Sequence, residues 1–233
     1  MKFKLLSLCL LLLSLTTFAK AENLGYTKFE PLKIGLDLDY TPLEYIDDNG
    51  LPQGLDVEFT QELMKRLGIP YNYSPNTWEN IKDDILEGRV ELGMMVYSPY
   101  RKDIVNYSRA VFRLYYQVVY RNNDPQQFDM RHLEGKNIAY MSSRPITDTL
   151  TKAGAILHVV RDLPKALKDL SGGQYDAVIC FRYQAKYHIH HQELNNLTAE
   201  DLTLTPREYC YASINRELIR AIDRELVKMG REG

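Results

Sequence analysis

Strand-like and helix-like apolar patterns take turns along this chain, and that alternation most narrows the folds open to it. PLKIGLDL places Leu32, Ile34, Leu36 and Leu38 on alternate positions, the period of a strand. GLDVEFTQELMKRLG then changes period: Phe59, Leu63 and Leu67 fall four apart. Acids occupy its first turn, Lys65 and Arg66 its last, and Gly68 is placed to cap it, so the segment is predicted to be a helix. IPYNYS reads as a second strand. NTWENIKDDILEG reads as a second helix, with Thr77 at the N-cap, Trp78, Ile81 and Ile85 on one face, and Gly88 at the end. VELGMMV reads as a third strand. Such a βαβαβ unit implies parallel strands, with ligands favoured beyond their C-terminal ends.

LYYQVVYR, from Leu114 to Arg121, is a long β-prone run placed to cross between lobes, and the polar NNDPQQ follows it. A second, smaller unit repeats the alternation. KNIAYM is a strand, PITDTLTKAG a helix with Pro145 in its first turn, ILHVV a strand, LPKALKDLSGG a helix and YDAVIC a strand. REYCYASI adds a strand and NRELIRAIDRELVKMG a final helix. The expected class is α/β, two lobes joined by extended crossings, and a cleft between such lobes is the natural place for a ligand.

Composition bounds the rest. Lys2 and Lys4, an apolar run from Leu5 to Phe18 and the small-residue site Ala19-Lys20-Ala21 read as an export signal at residues 1–21. The competing reading, a membrane anchor, needs about 20 apolar residues. Cleavage would leave 212 residues, and losing Lys2, Lys4 and Lys20 with no acid takes the formal charge from −2 to −5. A mildly acidic surface argues against nucleic acid or anionic membrane as partners, and no later segment is apolar enough to span a bilayer. Cys180 and Cys210 each end an apolar run; a disulfide and two buried free thiols are both open.

In series, several pieces of the chain resemble one family. GLDLDYTPLEYIDDNGLPQGLDVEFTQELMKRLG looks like its opening strand, its aromatic and proline, and its glycine-led first helix. NTWENIKDDILEGRVELGMMVYSPYRKDIVNYS resembles its tryptophan helix, third strand and arginine-ending loop, and LEGKNIAYMSS, GGQYDAVIC and YASINRELIRAIDREL follow in order and spacing. The chain thus resembles the family 3 extracellular solute-binding proteins, the polar-amino-acid receptors of ABC importers. The resemblance implies a type II periplasmic binding protein-like fold, a Venus flytrap closing by hinge motion. Lobe 1 would hold 26–114 plus 205–233 and lobe 2 would hold 115–204. The family normally continues through a short aromatic-rich segment beyond KMGREG.

The resemblance also implies a site. Arg101 matches the arginine that grips a ligand carboxylate through a charge-assisted fork; by composition alone it would be a solvated loop charge. Asp37 matches an acid that meets a ligand cation, against the alternative of a turn cap. Tyr40 and Trp78 match aromatic walls, though Trp78 is equally suited to anchor its helix in the core. Met95 belongs with them on the third strand. Three positions depart from the pattern. Val96 stands where a hydroxyl receives the ligand ammonium, Phe181 where a second ammonium-binding aspartate is common, and Pro145 removes a backbone N–H from the turn Ser142-Ser143-Arg144-Pro145. Ser143 and Arg144 are candidates in that turn, Arg144 with a charged donor to replace the lost one. An amine facing Val96 and Phe181 would lack partners, which points to a small carboxylate, another anion, or an amino acid held differently.

His188, His190 and His191 are read as solvated surface histidines in a polar stretch rather than a metal cluster. No cofactor, phosphate-binding loop, metalloprotease motif or nucleophile elbow is expected. The leading expectation is a monomeric periplasmic receptor serving an ABC permease. The second is a sensor domain coupled to a kinase signalling module, and the third an enzyme of dehydratase type on the same scaffold.

Overall fold

The structure, a computed structural model, describes residues 24–122, 130, 132–141 and 144–232. The expected export signal at 1–21 and Ser143 lie outside the described residues. In chain order the strands are β1 (Leu32–Asp37), β2 (Asp39–Tyr40), β3 (Glu44–Ile46), β4 (Pro52–Gln53), β5 (Tyr71–Asn76), β6 (Gly93–Val96), β7 (Asn106–Leu114), β8 (Tyr116–Arg121), β9 (Asn137–Tyr140), β10 (Ile156–Val159), β11 (Ala177–Phe181), β12 (Leu197–Asp201) and β13 (Arg207–Ser213). The helices are α1 (Leu55–Leu67), α2 (Trp78–Leu86), α3 (Arg144–Lys152), α4 (Leu163–Ser171), α5 (Arg182–His191) and α6 (Arg216–Glu232). Internal contacts divide the chain into two units, residues up to Arg113 with Glu208 onward, and Leu114–Arg207.

In the first unit β1 and β5 pair in parallel, from Leu32↔Tyr71 to Asp37↔Asn76. A parallel bridge, Ile34↔Leu92, ties β1 to the residues entering β6. β6 then continues through β13 to β7, with β13 antiparallel to β6. Alternation works as expected on β1, where Leu32, Ile34 and Leu36 are buried. α1 ends where Gly68 turns left-handed at φ 67°, its N–H reaching the Lys65 and Met64 carbonyls. α1 packs against α6. Thr77 occupies the N-cap of α2 but its side chain caps nothing. The Asn76 carboxamide oxygen holds that turn instead, accepting from the Thr77 N–H and the Asn80 side chain, both at 2.9 Å.

The second unit is built on one sheet in the order β10-β9-β11-β8-β12, the first three parallel and β8 antiparallel to both its neighbours. Its two faces are separate apolar clusters. Tyr116, Val118, Ile138 and Ile179 face one way with Ile146 and Leu150 of α3. Val119, Ala139 and Val178 face the other with Leu163 and Leu167 of α4 and Ala185 of α5. A sheet covered on both faces has no polar side, so its strands read as continuous apolar runs. That narrows the reading of LYYQVVYR as a crossing: the chain passes from the first unit to the second at its first residue, Leu114, and Tyr116–Arg121 is an interior strand of the second unit. The reading of YHIHHQ is corrected in part: this stretch finishes α5, His188 is 7% exposed with its ring facing Tyr187, and His190 and His191 are exposed as expected. Among the described residues no three His, Cys, Asp or Glu converge as for a metal ion, and no helix is long and apolar enough to cross a membrane. Cys180 and Cys210 are both free and buried.

Candidate functional site

The parallel register of the first unit determines which loops meet. Asp37 closes β1 opposite Asn76, and two residues beyond Asn76 the chain starts α2 with Trp78. Since β6 runs the same way as β1, Val96 ends at the same side of the sheet, and Arg101 lies in the loop that follows. Val96 pairs with Tyr209, whose ring centroid is 6.1 Å from that of Tyr40. Asp37, Tyr40, Trp78, Val96 and Arg101 therefore gather at the C-terminal ends of these strands. Arg144 opens α3 and Phe181 closes β11, both in the second unit.

Arg101 is held by its own loop. Its N–H donates to the Ser98 carbonyl at 3.1 Å, and its carbonyl accepts from Ile104 and Val105 at 3.0 Å each. One terminal nitrogen of the guanidinium reaches back to the Val96 carbonyl at 2.9 Å. A permanently charged, partly buried fork fixed in this way is suited to grip a planar oxyanion. Beside it lies Tyr107, whose hydroxyl is pushed up by burial while the Arg101 charge opposes that rise.

The other candidates divide by burial. Met95 is fully buried in a cluster with Ile81, Ile85, Val90, Val105 and Ala212, so its side chain packs in the core of the first unit. Trp78 packs against that same cluster, which is the helix-anchor alternative. The Asp37 carboxylate accepts the Asp39 N–H at 3.2 Å, the turn-cap alternative, and its pKa is raised chiefly by burial. Phe181 packs on Tyr116 at 4.8 Å.

One constellation escaped the sequence reading. Glu44 is 5% exposed and Asp56 2%, in the same part of the first unit as Asp37. Neither has a lysine or arginine partner among the described residues. Burial raises the Glu44 pKa well above its ordinary value, with the Asp56 and Asp37 charges adding to it. Burial carries Asp56 to about 7, a rise that Tyr209 opposes. From the sequence Asp56 is only one of the acids in the first turn of α1. The available signal was its place between Leu55 and Val57, one turn before the buried Thr60.

Residues 32–233 match the bacterial extracellular solute-binding proteins, family 3. The chain belongs to that family. Among relatives of this family 3 protein, the L-cystine-binding protein TcyJ of Escherichia coli (strain K12) is 23% identical, over 95% of this chain and 86% of its own. A probable amino-acid ABC transporter-binding protein of Haemophilus influenzae is 23% identical over 72% of this chain and 66% of its own. Among solved structures, a histidine kinase sensor domain with similarity to periplasmic binding proteins superposes with a TM-score of 0.78 at 23% identity, over 87% of this chain and 91% of that one. An ancestral arginine-binding protein bound to arginine gives 0.76 at 21% identity, over 87% and 93%. The fold of the family 3 protein is periplasmic binding protein-like α/β, and its family and these curated relatives are binding proteins.

Proposed function

We propose that this family 3 protein captures a small carboxylate-bearing solute, an amino acid or a related acid, and delivers it to an ABC permease from the periplasm. The observation that carries the reading is the Arg101 guanidinium, partly buried at the strand ends and anchored on the Val96 carbonyl. Asp37 and Tyr40 are proposed to contact the same ligand, with Val96 beneath it, and Trp78, Ser143, Arg144 and Phe181 complete the set. Hinge closure as a monomer, with no catalytic step, is part of the proposal. Val96 and Phe181 offer no partner to an ammonium, so an organic acid without an amine is favoured over an ordinary α-amino acid. Isothermal titration with L-cystine, L-arginine, L-glutamine and succinate tests this. Micromolar binding abolished by Arg101→Ala is the expected result for a carboxylate ligand. Equal binding by the variant removes Arg101 from the site, and tight binding of standard α-amino acids sinks the preference for an amine-free acid.

A second reading is a sensor input domain. The likeness to the histidine kinase sensor domain is one of fold, and the missing ammonium partners add to it, because they suit a receptor diverged from amino-acid uptake. Flanking genes separate the two: permease and ATPase genes mean transport, a kinase module means sensing. Turnover of prephenate-type acids would replace both readings with an enzyme.

A further inference from the structure

Tyr107 plays no part in the site inferred from sequence, yet it stands directly behind Arg101. Its ring meets Tyr97 edge-on at 5.1 Å and packs against the cluster that holds Met95 and Ile81, so the phenol has little freedom to swing away. Two polar atoms of this neighbourhood are buried without hydrogen-bond partners, the Tyr107 hydroxyl oxygen and Arg101 Nε. One is a donor and the other accepts, and leaving such atoms unmade is costly. The hydroxyl already lies near enough to the guanidinium to have its titration lowered by that charge, with the Ser98 N–H acting the same way.

We infer that Tyr107 is the positioning residue for Arg101: its hydroxyl takes the Nε–H, and the ligand's anionic group is left the terminal nitrogens alone. The inference rests on Arg101 being the anion-gripping group. A carboxylate can approach a guanidinium side-on, through Nε and one terminal nitrogen, or end-on, through both terminal nitrogens. Nε is buried, which closes the side-on approach. One terminal nitrogen spends a single N–H on Val96 and keeps another, so the end-on fork stays open.

The test uses the whole protein and needs no ligand at first. In a nitrogen-15 spectrum, Arg101→Ala assigns the Arg101 Nε–H resonance, separating it from Arg66, Arg89 and Arg182, whose Nε atoms bond carboxylates. Wild-type protein is expected to show an exchange-protected Arg101 signal, and Tyr107→Phe to lose that protection with an unchanged melting temperature. An unprotected wild-type signal, or one untouched by Tyr107→Phe, overturns the inference. With whichever of L-cystine, L-arginine, L-glutamine or succinate binds, Tyr107→Phe should weaken affinity about tenfold and cause no further loss in an Arg101→Ala background. Undiminished affinity overturns it as well. If none of the four binds, the proposed function fails while the spectrum still decides the role of Tyr107.

Discussion

Gly54 stands just before α1 at φ 118°, with its would-be Cβ 2.2 Å from the Leu43 carbonyl oxygen. That oxygen belongs to the chain and cannot rotate aside, so Gly54→Ala combines a disfavoured dihedral with a backbone clash. A urea melt should show a loss of roughly 2 kcal/mol or more; a change within about 0.5 kcal/mol would mean the turn relaxes freely. At this scale the candidate site was only half legible. Arg101 could be found because its loop follows a recognisable buried strand and breaks at Pro99. Tyr107 could not, because its importance arises from β7 lying behind the β6 loop, a contact that no spacing within NYS announces. Glu44 and Asp56 were missed for the opposite reason. An acid at the start of a helix, as Asp56 is, is ordinarily solvated and stabilised by the helix dipole. Glu44 opens the three-residue strand β3, which no pattern disclosed, and only the packing of β3, α1 and β13 reveals that these two are enclosed.

α1 illustrates what periodicity does disclose. Val57, Thr60, Leu63, Met64 and Leu67 form its buried face, and Leu63 and Met64 are wholly inaccessible. Leu63→Ala should therefore cost about 2–5 kcal/mol, from lost transfer energy and the cavity left behind. A denaturant midpoint unchanged from wild type would contradict the assigned face. β1, β5 and five of the helices were legible for this same reason: each sets a polar side against an apolar one. The misread elements lack that contrast. β8 is buried on both faces and looks like an undifferentiated apolar run. α5 is its converse, since RYQAKYHIHH buries Gln184, Ala185 and His188 and so shows almost no apolar stripe. β2 and β4 are two residues each, shorter than any period that could betray them.

For the molecule as a whole, the enclosed carboxyls fix how stability follows pH. Unfolded, Glu44 and Asp56 titrate near 4; folded, Asp56 titrates at about 7 and Glu44 well above its ordinary value. Between those limits the folded chain binds more protons than the unfolded one, so stability falls as pH rises. The Asp56 contribution is complete below about pH 4 and is lost as pH passes through 7, and Glu44 acts in the same direction. The neighbouring titratable groups are Asp37 on β1, Tyr40 on β2, Tyr73 on β5, and Tyr209 and Tyr211 on β13, and Tyr73, Tyr209 and Tyr211 are themselves pushed up, chiefly by burial. The melting temperature should drop from pH 5 to pH 8, and Asp56→Asn should flatten that slope. Equal slopes in the two proteins would place the proton elsewhere. The thiols have a consequence of another kind. Burial pushes both Cys180 and Cys210 up to about 12, so at neutral pH neither offers the thiolate that maleimide dyes require. In a chain started after Ala21, cysteines introduced by Asp48→Cys and Lys168→Cys, at exposed positions in different units, would accept a fluorophore pair without removal of either native cysteine. The protein comes ready for single-molecule distance measurements on solute capture.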